Sequence, residues 1–317
     1  MHAHKTTGKV MLKSFFPLIK LIKWTRIYLE LGKWRVTSLM LITAWVGMEL
    51  ASPTSLSLKK IFFTLLGIGL IACAAGSINH LLDFHLDCLM ARTEQRPLPQ
   101  GKISQWHVFF FAMIIASLGT LILRHFTNSI TTYLSLLSLV AYAIVYTLFL
   151  KRMTTQNIVI GGLAGASPPL LGWTAITNHI DPGGLLLVLI IFTWTPAHFW
   201  SLSIARYQDY VKSKLPMLPV THGIAFTKKQ ILLYTLLLSG ITLLPFSIGM
   251  SGLFYLISAL LLNTVFLVAA IDLIKQTTNI AAIKIFHYSN FYLLMLFLCL
   301  LMDHFLIQED ISGLPFL

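Results

Sequence analysis

Asn79, Asp83 and Asp87 recur at four-residue intervals in the stretch Asn79-His-Leu-Leu-Asp83-Phe-His-Leu-Asp87. On an α-helix each such step turns by about 40°, so the three side chains stay within an arc of about 80° on one face. Oxygen donors on one face, with positions left open for water or phosphate, suit Mg²⁺. Arg92, Arg96 and Lys102 follow within 15 residues of Asp87. Carboxylates that hold a cation, beside guanidiniums that grip phosphate oxygens in pairs, would build a metal–diphosphate site. The plainer reading is a solvated helix end whose acids offset nearby bases, and polarity alone does not separate the two.

Two further groups carry chemistry. Lys151-Arg152 closes an apolar run that also holds Tyr146. Such a pair serves either as an orientation signal or as more phosphate-neutralising charge. Farther on stands Trp194-Thr-Pro-Ala-His198-Phe-Trp200, followed by Asp209-Tyr210 and Pro216-Met-Leu-Pro219. A histidine in an apolar, aromatic helix faces protein or a cavity. It is either a helix–helix hydrogen bond or a ligand-facing group, with the tryptophans lining an apolar pocket. Asn79 precedes Pro97, and His198 precedes Pro216, by the same 18 residues, a faint internal echo.

The elements that must position these groups are apolar runs. The chain has 317 residues, 56% of them hydrophobic and 11% charged, under half the charge of an ordinary soluble domain. Nine runs approach the length a spanning helix needs: 36–51, 61–82, 108–123, 130–150, 157–177, 184–205, 231–250, 253–274 and 285–305. With the N-terminus in the cytoplasm, 20 of the 23 Lys and Arg fall on the inside and only Lys59, Lys60 and Arg124 outside. Nine crossings then leave the C-terminus outside. The reading is an all-α integral membrane protein. It has a basic cytoplasmic segment over 1–35, a nine-helix domain over 36–305 and a short tail over 306–317. The net charge of +12 reports orientation and contact with anionic membrane lipid rather than nucleic acid. Three cysteines without paired spacing give neither a disulfide framework nor a metal site. Pro168-Pro169 predicts a kink in the fifth run. An apolar patch over 15–22 is too short to span and is expected to lie on the membrane face. With no transit-like leader, a bacterial inner membrane is expected, the motif-bearing face cytoplasmic.

These motifs, in order, resemble a known family. Asn79-x-x-x-Asp83-x-x-x-Asp87 with Arg92-Thr93-x-x-Arg96-Pro97-Leu98-Pro99-x-Gly101 is similar to the first aspartate-rich motif of the UbiA superfamily of membrane prenyltransferases. Tyr146-x-x-x-x-Lys151-Arg152-x-Thr154 resembles the motif after that family's fourth helix. The stretch from Asn157 to Trp173, with Trp194 to Trp200 and Pro216 to Gly223, resembles the branch that farnesylates heme. The resemblance covers about residues 27–305. It implies a nine-helix bundle around a cavity, and transfer of farnesyl from farnesyl diphosphate to a vinyl group of protoheme IX (heme B). Heme is then substrate, and the product feeds a heme A synthase or a terminal oxidase.

It further implies Mg²⁺ held by Asn79, Asp83 and Asp87, aided by Asp209, with Arg92, Arg96, Lys151 and Arg152 on the diphosphate. His198, Trp194 and Trp200 are the heme-side candidates. Three departures stand out. Asp209 alone remains of a second aspartate-rich motif, with His198 where its first acid would fall. His85 stands where relatives carry another acid. In Lys33-Trp34-Arg35, Trp34 replaces a family proline, a change expected to touch only the start of the first helix. Two other readings stay open: a prenyltransferase with an aromatic acceptor, and a transporter, which would carry its polar groups nearer midplane.

Overall fold

Apolar runs of this length leave the backbone no partner but itself inside a bilayer, and helices are the outcome. The computed structural model describes residues 22–276 and 279–312, with backbone only for 279 and 309–312; among them there is no strand. The patch at 15–22 lies almost wholly outside the described residues.

A short helix, α1 (22–31), leads through a tight turn to α2 (Trp34–Leu50). Then come α3 (Leu58–Leu82), α4 (Gln105–Phe126), α5 (Ser129–Met153), α6 (Asn157–Ala166) and α7 (Pro168–Thr177). The bundle is completed by α8 (Pro182–Ala205), α9 (Ile224–Ile241), α10 (Leu253–Lys275) and α11 (Asn279–Ser312). Eight segments among the described residues are long and apolar enough to cross a membrane, α6 and α7 counting together as one. The helix predicted over 36–51 is present as α2 but runs only 17 residues, short for a span on its own.

Each helix touches its neighbours around a closed ring from α2 through α6, then α8 to α11, and back to α2; α7 packs on α2 and α8. Side chains such as Phe110, Ile114, Leu121, Leu261 and Val265 point outward and are exposed. In water that surface would be untenable, whereas lipid solvates it. The helices close up through small residues. A Cβ on Gly47 would collide with the Pro169 carbonyl, and one on Gly172 with that of Ala44, so α2 and α7 are in backbone contact.

The predicted kink is present: the fifth run breaks at Ser167, immediately before Pro168-Pro169. Several boundaries differ from expectation, two of them at ends of the last three helices. Helix α9 begins at Ile224, seven residues early, because Gly223 (φ 84°) supplies a backbone that starts it directly after the loop. Helix α11 continues to Ser312, so most of the expected tail over 306–317 is helical.

Candidate functional site

The polar groups converge at one end of the bundle, where α3 and α5 finish and α2 and α6 begin. Helix α3 ends at Leu82 and is followed by a single turn, Phe84–Asp87, rather than running on as one helix. The spacing survives the break. Asp83 N–H donates to the Asn79 carbonyl at 2.9 Å and Asp87 N–H to that of Asp83 at 2.8 Å, so the three side chains stay on one side. All three are almost fully buried.

Each is held by cations or hydroxyls from elsewhere in the chain. Lys151 Nζ donates to Asp83 Oδ2 at 2.6 Å, and Arg96 Nη1 reaches both Asp87 oxygens at 2.8 and 2.7 Å. Asn79 Nδ2 donates to Asp83 Oδ2 and to Thr147 Oγ1, both at 2.9 Å. Lys33 Nζ donates to Asn79 Oδ1 at 2.5 Å and to the Tyr142 hydroxyl at 2.9 Å. Lys33 reaches so far because it sits in a left-handed turn (φ 51°) over Gly76, where a Cβ would lie 3.2 Å from the Leu31 carbonyl.

Helix α5 contributes by widening. Over Ala141–Leu150 it adopts π-type turns, a form enriched at functional sites. Within that stretch Tyr142 and Tyr146 stack at 5.7 Å between centroids, and Gly161 on α6 leaves the space the Tyr146 ring fills. Tyr146 lies within electrostatic reach of Asp83, Arg92 and Tyr210. The second loop thus meets the first: Tyr210 also feels Arg92, Arg96 and Asp209. Burial raises the Tyr210 phenol above its ordinary value of 10.0, Arg92 opposing the shift. Asp209 is buried beside it but forms no ion pair with the first cluster among the described residues. Arg152 donates to the Leu82 carbonyl at 3.3 Å, and Asn157 to that of Pro216 at 3.5 Å, tying three loops together.

No three acidic, histidine or cysteine side chains converge as a ready metal cage among the described residues. The donors nevertheless suit Mg²⁺, which prefers oxygen ligands and often arrives with phosphate and water. Asp83 Oδ1 is buried without a hydrogen-bond partner, an open acceptor of the required kind. Stripping the cation from a buried carboxylate without replacement costs about 3–5 kcal/mol. Asp83 and Asp87 each therefore need a cation beside them, and Lys151 and Arg96 supply it in this structure.

The heme-side candidates lie elsewhere. His198 Nδ1 bonds Ser289 Oγ on α11 at 2.7 Å, and its ring is stacked between Trp194 and Phe286. Trp194 Nε1–H donates to the Ser289 carbonyl at 2.8 Å, and Trp200 is packed in the core. This is a helix–helix contact, apart from the acid cluster in every hydrogen bond described.

Four residues of the site escaped the sequence reading: Lys33 as an Asn79 partner, Tyr142, Thr147, and His80, buried with its Nδ1 4.0 Å from Asp87 Oδ2. Lys33 stood in a noticed motif, and His80 next to Asn79. Tyr142 and Thr147 carried no signal, since only the widened turn points them at α3.

Fold and site together define an integral membrane protein with a cation-rich polar chamber at one end of an apolar helical bundle. The UbiA prenyltransferase family matches residues 40–300, and the chain belongs to that family of membrane prenyltransferases. It is 54% identical over 284 residues to protoheme IX farnesyltransferase of Legionella pneumophila (strain Lens), covering 90% of this chain and 96% of that one. It is 53% identical over 280 residues to protoheme IX farnesyltransferase of Idiomarina loihiensis, covering 88% and 94%. A solved structure of digeranylgeranylglyceryl phosphate synthase aligns with a TM-score of 0.72 at 18% identity, over 88% of this chain and 98% of that one. A UbiA homologue from Archaeoglobus fulgidus bound to DMAPP and Mg²⁺ aligns at 0.61 and 15%, over 86% and 98%. These two structures bear on the fold alone.

Proposed function

We propose that the protein transfers the farnesyl group of farnesyl diphosphate to a vinyl group of protoheme IX, giving heme O and diphosphate. One observation carries the reading: a buried acid cluster held by side-chain cations, in a chain more than half identical to proteins named for that reaction. Farnesyl diphosphate ionises by building positive charge on the allylic carbon as diphosphate leaves. Asn79, Asp83 and Asp87, aided by Asp209, would hold Mg²⁺, which when bound neutralises the leaving diphosphate. Lys151 and Arg96, which hold the acids in this structure, would with Arg92 and Arg152 supply the positive charge for the phosphate oxygens. Charge that develops on the leaving group is thereby met by groups already in position.

The vinyl terminus attacks the allylic carbon, leaving positive charge on the carbon beside the porphyrin ring. Water adds there and loses a proton, which produces the hydroxyl of the new side chain. The apolar bundle keeps water from the allylic centre until the carbon–carbon bond has formed.

The topology belongs to the same proposal. Nine crossings, with α2 as the first, place the N-terminus and the acid cluster on the cytoplasmic side of a cell inner membrane and the C-terminus outside. Product would pass to a heme A synthase or a terminal oxidase. His198, flanked by Trp194 and Trp200, remains a second candidate for the heme contact, because its bond to Ser289 leaves the other ring nitrogen for a ligand.

The test is a product assay. Purified protein with heme B, farnesyl diphosphate and Mg²⁺ is expected to yield heme bearing a hydroxyethylfarnesyl group, detected by chromatography and mass spectrometry. Unchanged heme, with prenylation of a hydroxybenzoate instead, would move the assignment to an aromatic acceptor. Absence of diphosphate release with every acceptor would reopen transport.

A further inference from the structure

A cavity of about 880 Å³ opens between α1, the start of α2 and the 92–96 loop, at the upper end of the size range of small-molecule sites. Its walls change character with depth. The outer rim carries Arg26, whose side chain is 81% exposed, and Arg35, exposed at the start of α2. Arg35 forms no ion pair among the described residues, and its guanidinium lies 5.4 Å from the Trp34 ring centroid. Arg26 has only an exposed one-turn pair with Glu30 at 3.0 Å, of the kind that contributes little. Ile22, Leu29, Trp34 and Val36 line the same cavity, all large hydrophobics left exposed. The inner wall holds His80, 2% exposed, and neither ring nitrogen has a hydrogen-bond partner, the Asp87 carboxylate standing 4.0 Å from Nδ1. A buried imidazole without a hydrogen bond is rare in a native protein and leaves its Nε2 for a ligand.

We infer that this cavity is the acceptor site, taking an iron porphyrin with its two carboxylates on Arg26 and Arg35 and its iron facing His80. The inference rests on the proposed reaction and adds where, and which way round, its acceptor sits. Protoheme is a flat apolar disc with both propionates on one edge and both vinyls on the opposite half. Two exposed guanidiniums, an apolar lining and a buried imidazole supply what the propionates, the ring and the iron each require. With the propionates outermost, the vinyl edge points inward past His80. His80 is the neighbour of Asn79, and Arg92 and Arg96 line the same cavity, so the vinyl edge is aimed at the diphosphate chamber.

The experiment titrates detergent-purified full-length protein with hemin, iron-free protoporphyrin IX and protoporphyrin dimethyl ester, following the Soret band. Arg26→Gln/Arg35→Gln is expected to weaken hemin and protoporphyrin binding about tenfold and leave the dimethyl ester unaffected. In turnover the same protein should show a raised KM for heme with an unaltered KM for farnesyl diphosphate. His80→Gln should change the Soret position and weaken hemin but not iron-free protoporphyrin. Equal hemin affinity and spectra in all three proteins, or a spectral change confined to His198→Gln, would overturn the site. Heme farnesylation with unaltered kinetics in these variants would remove the site while leaving the reaction standing. Hemin bound through Arg26, Arg35 and His80 but never farnesylated would support the site and sink the reaction.

Discussion

The two ends of this bundle bury aspartates in opposite ways. At the far end, Asp303 on α11 is 2% exposed and accepts the N–H groups of Gly252 and Tyr255, the latter at 3.0 Å. It caps the start of α10, satisfying backbone donors that have no partner within the helix. At the motif end, Asp83 is equally buried but is held by Lys151, Asn79 and no backbone group beyond its own helix turn. Backbone amides cannot leave, so Asp303 is fixed. Side-chain cations can swing away, so Asp83 and Asp87 can accept another positive charge in their place. Burial and residue type alone do not separate a structural acid from a chemical one; the nature of its partners does.

Mutation should separate the ends sharply. Asp83→Ala is expected to lower turnover by at least about 10²–10³-fold, the scale of losing one group that meets developing charge. The variant should remain folded by thermal unfolding, and near-normal product formation would break the contrast. Removing divalent metal with a chelator should stop diphosphate release, and Mg²⁺ should restore it; release that persists in chelator would exclude the acid cluster as a metal site. Lys33→Met should lower kcat/KM for farnesyl diphosphate about tenfold, because Asn79 loses the cation that orients it. Asp303→Ala should do the reverse. It should cost about 1–3 kcal/mol of stability by stranding the α10 amides, with turnover per folded molecule unchanged. The smallest effect concerns pH. The Tyr210 phenol, raised by burial, stays neutral in the folded state. Its effect on stability is absent below the ordinary value of 10.0 and destabilising as pH rises through it. An alkaline limb below pH 10 that vanished in Tyr210→Phe would contradict this.

Much of the site was legible because membrane sequences leave few places for charge. Asn79, Asp83 and Asp87 announce themselves by period, and Lys151-Arg152 by standing at the end of an apolar run. The break after Leu82 was invisible, because both of its flanks keep helical spacing and helical backbone bonds. Lys33 was legible as a motif but not as a partner of Asn79, since no local pattern reveals a contact spanning 46 residues. His198 shows the opposite case. A histidine among tryptophans drew attention as a ligand, yet its ring is bonded to Ser289, 91 positions away.

Sequence by itself determined the helical membrane class, the end of the bundle where polar groups gather, and the acids and bases of the cluster. Each follows from the cost of burying unpaired backbone or charge in hydrocarbon, which acts locally along the chain. Tertiary structure alone decided which cation holds which acid, how the π-widened turn of α5 turns Thr147 and Tyr142 toward Asn79, and that a cavity lies beneath α1 with His80 at its inner wall. Those are matters of side-chain reach between distant segments, set by how closely glycine-lined helices pack.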